Sequence, residues 1–399
     1  MPFRRALVAV AALTVLLVPS SASATTAAQL SVSLSKTASG LGPSSGVLVK
    51  KIDSNQELFS LRADTKLVPA SNEKLFTTAT ALLRYGAATT LPTTLRVKTG
   101  VVLDPVTGVL PGDIFLVGGG DPTLNDAGLT RLVTLLRKAG VKQIAGGVRA
   151  DESFLDQRRG SFDSRFKVDS DLSGQLSGLS YDHGRSGSAK QAGKRLESLL
   201  KAQGITVGSS AKTGRLGGQG VTVATVASPD IGALAELTNV PSENFYAEML
   251  TKALGAHYGS GGTTAAGLAV ARTQLAAFGI HPKMVDGSGL SRVDRTTPRQ
   301  LVNLLDKAQE LPEIAAPFAN SLPRFGLEGT LKKRLRKTAA SKRCAAKTGT
   351  LIGVSALSGY CTTTGGVKVA FSFLENKVCN YCAKKVEDRM VSAIARLDG

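Results

Sequence analysis

The chain has 399 residues, and 49 lysines and arginines against 30 acidic residues give it a net charge of +19. That length is sufficient for two domains. Only three histidines are present, and the sequence contains neither an H-E-x-x-H motif nor a paired C-x-x-C set. This pattern argues against a zinc hydrolase and predicts no metal and no cofactor. The scarcity of histidine also disfavours a Ser-His-Asp enzyme.

The first 24 residues predict a secretory signal peptide. Arg4 and Arg5 precede the apolar run Ala6–Val18, and an A-x-A cleavage motif follows at residues 22–24. A membrane anchor is the alternative, but this apolar run is short for a bilayer span. We therefore expect a secreted, extracytoplasmic protein associated with the cell wall. Its mature charge of +17 favours anionic wall polymers or lipid headgroups as partners, and its sparse aromatic residues argue against nucleic acid.

Periodicity in the first 91 residues predicts two strands and a helix. The strands are Gly46–Asp53 and Glu57–Arg62, and the helix runs from Ser71 to about Tyr85 with one apolar face. From residue 92 the sequence becomes rich in Gly, Val and Thr. We predict that residues 92–228 form a domain inserted into a catalytic domain made of residues 25–91 and 229–399.

The inserted stretch contains three β-like runs and two helical segments. They are predicted at Leu95–Val97, Gly100–Leu103, Ile114–Val117, Leu129–Ala139 and Ala192–Gln203. Asp151–Gly187 is polar and lacks periodicity, which favours loop structure.

After the insert, four helical segments precede three strands and a C-terminal helix. They are predicted at Ile231–Leu237, Glu243–Tyr258, Thr263–Phe278, Pro298–Glu310, Ala345–Leu351, Val354–Thr362, Val367–Leu374 and Cys382–Leu397. Strands at both ends of the chain with helices between them indicate one α/β sheet that uses both termini.

All four cysteines fall in the last sixty residues, and export permits disulfides. A hairpin that turns near Ile352-Gly353 would bring Cys344 opposite Cys361. We therefore predict the pairs Cys344–Cys361 and Cys379–Cys382 out of three possible connectivities. The alternative is a redox-active C-x-x-C, which no thioredoxin-like pattern supports here.

Three short motifs occur in a fixed order along the chain. They are Ser71-x-x-Lys74, Ser242-x-Asn244 and Lys347-Thr348-Gly349. Taken alone, the first and third are weak, because S-x-x-K and K-T-G also occur elsewhere. The other copies begin at Ser33, Ser164, Ser198 and Ser209, and at Lys98 and Lys212. Only the context of each copy distinguishes them.

Ser71 stands at the start of a predicted helix, after Pro69-Ala70. Free backbone N–H groups and the positive end of the helix dipole stabilise a developing oxyanion at such a position. Lys74 lies one turn further on the same face and can accept the serine proton only if burial or nearby positive charge keeps its amine neutral. The structural alternative is a helix cap followed by a surface lysine.

The other two motifs have chemistry that complements this serine. The Ser242 hydroxyl can relay a proton and the Asn244 amide can hold a substrate carbonyl, although Ser242 could equally cap a helix. Lys347, on a predicted strand, can bind a carboxylate, and Gly349 lets a substrate backbone approach. A rival G-x-S-x-G motif at residues 42–46 precedes a strand, so it fails as a nucleophile elbow.

Together these motifs resemble those of the penicillin-recognising serine enzymes. Further segments narrow the resemblance to the class C low-molecular-mass penicillin-binding proteins, which are D-alanyl-D-alanine carboxypeptidase/endopeptidases. These segments are Pro69–Lys74, Gly112-Asp113, Gly118–Leu124, Asp286–Ser291, Ser321–Pro323, Gly329–Leu331 and Ala346–Leu351. The resemblance implies an α/β transpeptidase fold of the serine β-lactamase type, an antiparallel sheet flanked by helices, with an inserted second domain.

The resemblance also implies roles for individual residues. Ser71 would be the nucleophile, Lys74 the general base and Ser242 the relay to the leaving amine, with the backbone N–H groups of Ser71 and Thr350 as the oxyanion hole. The implied substrate-binding residues are Asn244, Lys347, Thr348, Gly349, Thr350, Asp151 and Arg334. The substrates would be peptidoglycan stem peptides and crosslinks, and β-lactams would be covalent inhibitors. One departure is the apparent lack of a third domain nested in the insert.

Two other functions compete with this interpretation. A serine β-lactamase needs a deacylating water, and we find no E-x-x-x-N between the second and third motifs to hold it. A non-catalytic wall-binding protein could keep the fold, but the three motifs are intact. We expect a serine carboxypeptidase that penicillin acylates durably.

Overall fold

The computed structural model describes residues 25–217 and 219–398. The predicted signal peptide, residues 1–24, lies outside the described residues. In the described part, no helix combines the length and apolar character needed to cross a bilayer.

The first of two sheets is built from both ends of the chain, as the sequence predicted. Its strands are β1 (Ser45–Lys51), β2 (Glu57–Leu61), β9 (Cys344–Leu351), β10 (Val354–Thr362) and β11 (Lys368–Asn376). They lie in the order β2-β1-β11-β10-β9, with every neighbouring pair antiparallel. The order leaves β9, which carries the Lys347 motif, at an edge of the sheet.

Helices cover both faces of this sheet. They are α1 (Ala27–Ala38), α2 (Glu73–Tyr85), α5 (Ile231–Asn239), α6 (Asn244–Tyr258), α7 (Thr264–Ala276), α8 (Pro298–Glu310), α9 (Pro312–Asn320) and α10 (Asn380–Ile394). Phe371 and Phe373 of β11 pack in one core with α1 and α10, whereas the alternate residues Ala370 and Leu374 pack in the other with α2 and α8. Burial on both faces explains the near-continuous apolar sequence of β11.

The second sheet lies entirely between residues 90 and 230 and has its own core. Its strands are β3 (Thr90–Lys98), β4 (Val109–Leu110), β5 (Ile114–Gly118), β6 (Gln143–Asp151), β7 (Thr206–Thr213) and β8 (Gly220–Asp230). The order is β4-β6-β5-β3-β8, with β7 also paired to β6. Helices α3 (Asp126–Lys138) and α4 (Ser188–Ala202) pack on it. The long segment from 152 to 187 is mostly loop, with one 3₁₀ turn at Ser170–Leu172.

Both predicted disulfides are confirmed, and one predicted strand is wrong. Cys344 of β9 faces Cys361 of β10 and is bonded to it, and Cys379 is bonded to Cys382. The strand expected at Gly100–Leu103 is a loop, because β3 ends in a turn in which Gly100 has a φ of +87°. That left-handed backbone is incompatible with a continued strand.

Candidate active site

Ser71 lies in a 3₁₀ turn, Ala70–Asn72, that leads directly into α2. Ala70 adopts a φ of +47°, a conformation that non-glycine residues rarely take. Strained backbone of this kind persists only where the surrounding packing enforces it, and it recurs at functional sites. Here Gly289 presses on the turn, since a Cβ at that position would come within 1.9 Å of the Ala70 carbonyl oxygen.

Lys74 is fully buried one turn after Ser71. Its Nζ lies 3.0 Å from the Ser71 Oγ, 2.6 Å from the Asn244 Oδ1 and 2.6 Å from the Ser288 carbonyl oxygen. Burial lowers the pKa of Lys74 to about 8, although nearby carboxylates, led by Asp286, act in the opposite direction. About a tenth of its amine is therefore neutral at pH 7, and this neutral form can accept a proton.

The remaining motif residues converge on the same place. The Lys347 Nζ lies 2.7 Å from the Ser242 Oγ and 2.8 Å from the Thr348 carbonyl oxygen. Burial, and then the positive charge of Lys74, hold the pKa of Lys347 well below its usual range. Ser71, Lys74, Ser242, Asn244 and Lys347 are together called the Ser71 cluster below. These five residues lie between positions 71 and 347 of the sequence, and the structure brings them together in one place.

Asn244 connects this cluster to the loop of the inserted stretch. It is the first residue of α6, and its Oδ1 accepts from Lys74 while its Nδ2 donates to the carbonyl oxygen of Asp171 at 2.8 Å. Ser242, two residues earlier, has a φ of +68°. The sharp backbone at Ser242 separates it from the helix, so it does not act as the helix cap; that role belongs to Glu243.

Gly349 lets the edge strand β9 pack against the turn that carries Ser71. A Cβ at Gly349 would lie 2.7 Å from the Pro69 carbonyl oxygen and 3.0 Å from the Asn72 Nδ2. The glycine of the K-T-G motif is therefore required by packing next to the turn that carries Ser71, in addition to any contact with substrate. Beside it, the Thr348 Oγ1 bonds the Thr330 Oγ1 at 2.8 Å.

Gly349→Ala should therefore disturb the site. We expect a loss of about 1–3 kcal/mol of unfolding free energy from overpacking, together with slower acylation by penicillin. Gly40→Ala is the matched control, because a Cβ there meets nothing within 4 Å. Thermal unfolding and labelling rates measure both effects. A Gly349→Ala protein with unchanged stability and labelling would contradict the packing argument.

An open cleft of about 750 Å³ adjoins the Ser71 cluster. One wall is the β9–β10 hairpin, with Thr350, Leu351 and Ile352, and the facing wall includes Leu290 and Arg292. Arg292 crosses to the hairpin and donates to the Ile352 carbonyl oxygen at 2.6 Å. The rest of the lining comes from the 152–187 loop, through Ser161, Asp163, Asp169 and Asp171, and from Asn244 and Asn380. Sequence reasoning missed this loop as a cleft wall, because its lack of periodicity indicated only loop structure.

A group of buried carboxylates behind Lys74 was also missed. Glu73, Glu248 and Asp286 are fully buried, and Asp286 accepts the backbone N–H groups of Ser288, Gly289 and Ser291. Burial, reinforced by Asp286, raises the pKa of Glu248 to about 7, and burial likewise raises the pKa of Glu73. These carboxyl groups favour the charged form of Lys74, and the burial of its amine outweighs them in lowering its pKa. The Asp286–Ser291 motif was the one sequence feature that pointed to this region.

Asp151 and Arg334 lie outside the Ser71 cluster. Asp151 is buried in β6 and accepts the N–H groups of Ser153 and Leu216 at 2.9 and 2.6 Å. Arg334 donates to Glu387 and Asp388 of α10 at 2.9 and 2.8 Å. In the part of the chain that the structure describes, neither side chain bonds to the cluster, and their roles in substrate binding remain predictions.

Arg334→Ala separates a structural role from a substrate-binding role. Glu387 is almost fully buried, so removal of its cationic partner should cost about 3–5 kcal/mol of unfolding free energy. Chemical denaturation measures this loss. The outcome that contradicts a structural role is unchanged stability combined with a raised KM for a peptide substrate.

The comparisons with known proteins are consistent with this geometry. The sequence matches the D-Ala-D-Ala carboxypeptidase 3 (S13) family in two overlapping segments, residues 26–184 and 163–397. The chain belongs to this family. It is 28% identical to a D-alanyl-D-alanine carboxypeptidase of Actinomadura sp. (strain R39), over 90% of this chain and 82% of the relative. It is 29% identical to carboxypeptidase DacB of Mycolicibacterium smegmatis, over 90% and 83%.

Solved structures confirm the predicted fold. Penicillin binding protein 4 (dacB) from Haemophilus influenzae superposes with a TM-score of 0.74 at 21% identity, over 90% of this chain and 98% of that one. The same protein complexed with a novel β-lactam gives a TM-score of 0.71. The α/β fold of this S13 chain is thus that of penicillin-binding proteins.

Proposed function

We propose that this S13 chain is a serine D-alanyl-D-alanine carboxypeptidase/endopeptidase that acts on peptidoglycan through an acyl-enzyme on Ser71. The observation that carries the proposal is the buried Lys74 amine, 3.0 Å from the Ser71 hydroxyl. Because burial lowers the pKa of Lys74 to about 8, the neutral amine is available as a base. Family membership supplies the substrate class: stem peptides that end in D-alanyl-D-alanine.

Acylation begins when the Ser71 oxygen attacks the carbonyl between the two D-alanines. Lys74 takes the hydroxyl proton while Asn244 and the Ser288 carbonyl hold its amine in place. The developing oxyanion lies at the start of α2, where the backbone N–H of Ser71 and that of Thr350 on the adjacent strand are the proposed donors. Losing one such donor typically costs about 10²–10³ in turnover.

The leaving D-alanine needs a proton on its amine and a site for its carboxylate. Ser242, bonded to Lys347 at 2.7 Å, is the proposed relay for that proton. Lys347, with the hydroxyls of Thr348 and Thr350 on the edge of the sheet, is the proposed carboxylate site. An edge strand has unpaired backbone groups, so an extended peptide can lie along β9. Hydrolysis of the Ser71 ester then releases the shortened stem peptide.

Penicillin should acylate Ser71 by the same route. Its strained lactam carbonyl takes the place of the peptide carbonyl, and its carboxylate takes the place of the terminal D-alanine carboxylate. A β-lactamase would release the opened drug rapidly, and a non-catalytic wall-binding protein would not react. We infer that penicillin stays bound to Ser71 as a durable acyl-enzyme.

Digestion of a defined substrate tests the proposed function. Purified protein is incubated with a stem pentapeptide ending in D-alanyl-D-alanine and with crosslinked peptidoglycan, and the products are identified by mass spectrometry. Release of one D-alanine supports carboxypeptidase action, and resolution of crosslinked dimers supports endopeptidase action. No product from either substrate, by a protein that is folded, would contradict the proposal.

We also propose an exported location and an inserted domain at residues 92–228. The second sheet and its separate core support the domain. The chain enters this sheet through β3 and leaves it through β8. A basic run at residues 332–343 supports retention on anionic wall polymers, because six of its cations are exposed and no acidic residue stands between them in the sequence. They are Lys332, Lys333, Arg336, Lys337, Lys342 and Arg343. Elution of the protein from isolated walls by added salt tests this retention.

A further inference from the structure

The Cys379–Cys382 disulfide is exposed and lies beside the cleft. Both of its cysteines are accessible at the start of α10, whereas Cys344 and Cys361 are buried. A thiol reagent in solution can therefore reach the first pair and not the second. The catalytic scheme uses neither.

Asn380, between the two exposed cysteines, holds the β9–β10 hairpin. Its Nδ2 donates to the carbonyl oxygens of Leu351 and Val354 at 2.9 and 2.6 Å, and its Oδ1 accepts the Gly353 N–H at 3.0 Å. The Val378 N–H adds a bond to the Gly353 carbonyl oxygen at 3.2 Å. One side chain thus fixes the turn of the strand that carries Thr350, and it also lines the cleft.

We propose that the Cys379–Cys382 disulfide is a thiol–disulfide exchange site that controls the cleft through Asn380. The disulfide constrains the backbone on both sides of Asn380, so it keeps the amide aligned with the hairpin. The inference rests on the proposed function, because its readout is acylation of Ser71. Asn380 is here a positioning residue that acts through the hairpin.

The exchange step needs a dithiol as the reductant. One dithiol sulfur, as thiolate, attacks a disulfide sulfur and forms a mixed disulfide while the other cysteine leaves as a thiolate. The second dithiol sulfur then closes a cyclic disulfide and releases the second cysteine. The cysteines gain two electrons and the two protons that the dithiol loses. The Cys382 N–H, 3.2 Å from the Cys379 Sγ at the start of α10, stabilises the thiolate at Cys379.

Reduction should loosen the hairpin without releasing it. Arg292 still holds the Ile352 carbonyl oxygen from the opposite wall, so the hairpin keeps this anchor. Displacement of Thr350 by a fraction of an ångström misaligns the proposed oxyanion donor and carboxylate site. Since misplacement by about 1 Å can cost 10²-fold in rate, we expect acylation to slow roughly tenfold.

The experiment compares second-order rates of Ser71 labelling by fluorescent penicillin before and after treatment with dithiothreitol. Alkylation and peptide mapping establish that Cys379 and Cys382 have opened while Cys344–Cys361 stays linked. Cys379→Ser/Cys382→Ser and Asn380→Ala should each label at the slow rate and lose the response to the dithiol. Tyr381→Ala is the matched control: its exposed side chain has no bond to the hairpin, and it should keep the wild-type rate and response.

Three results would overturn the inference alone. They are resistance of Cys379–Cys382 to the dithiol, equal labelling of the reduced and oxidised proteins, and an Asn380→Ala variant that keeps the wild-type response. Circular dichroism verifies that each variant is folded, and the wild-type comparison needs no variant at all. Absence of labelling in both redox states would instead overturn the proposed function, and the inference with it.

Discussion

Ser71→Ala should abolish labelling by fluorescent penicillin and lower D-alanine release by about 10⁴-fold or more. The hydroxyl of Ser71 is the one that the buried Lys74 amine contacts, at 3.0 Å. Alanine removes the atom that forms the ester, so no acyl-enzyme can accumulate. Residual turnover would come only from substrate binding and the oxyanion donors.

Ser44→Ala is the matched control for this variant. Ser44 belongs to the competing G-x-S-x-G motif and precedes β1, where its carbonyl oxygen accepts the Asn376 N–H. Alanine keeps that carbonyl, so labelling and turnover should be unchanged. If Ser71→Ala retained durable labelling, or if Ser44→Ala lost it, the assignment of the nucleophile would be wrong.

Lys74→Ala should slow acylation by about 10²–10⁴-fold while Ser71 remains in place. The amine is fully buried, and no solvent base can replace it easily. Lys74→Arg tests the chemistry further, because a guanidinium keeps the positive charge and cannot act as a base at ordinary pH. Both variants should label slowly if the role of Lys74 is proton transfer. Near-normal acylation in folded Lys74→Arg protein would contradict that role.

The pH dependence of acylation should follow the titration of Lys74. Only the neutral amine accepts the Ser71 proton, and burial lowers the pKa of Lys74 to about 8. The acylation rate should therefore rise as pH increases from 6, approach a plateau above pH 8, and reach roughly a tenth of that plateau at pH 7. Rates of penicillin labelling between pH 6 and 9.5 measure this profile. A rate that falls across this range would contradict a neutral-lysine base.

Local pattern and chain order were sufficient to predict the sheet that bears the site. Strand-like runs occur near both ends of the chain, which predicted one sheet made from both. In the structure β1 and β11 are indeed paired. The hairpin geometry also predicted which cysteines face each other, because antiparallel register places residues symmetrically about the turn. The K-T-G motif alone could not identify Lys347 as a site residue, because K-T-G also occurs at Lys98 and Lys212. Those two copies lie at the ends of β3 and β7 in the second sheet.

Features that depend on long-range packing could not be predicted. Glu248 is one of several polar residues on α6, and nothing in the local sequence distinguishes it from the others. Only the tertiary fold buries it next to Lys74. The strained Ala70 and Ser242 are likewise consequences of neighbouring elements, with no local sequence pattern to indicate them. The contacts of Arg334 could not be predicted either. The resemblance implies a substrate-binding role, which stays a prediction, and the structure adds that its guanidinium bonds Glu387 and Asp388.

A crystal structure of the protein after reaction with benzylpenicillin tests the central claim most directly. Continuous electron density should join the Ser71 Oγ to the opened lactam carbonyl, with the Lys74 Nζ within hydrogen-bond distance of that oxygen. The drug carboxylate should lie against Lys347, Thr348 and Thr350. An adduct on a different residue, or a carboxylate bound away from β9, would contradict the proposed active site.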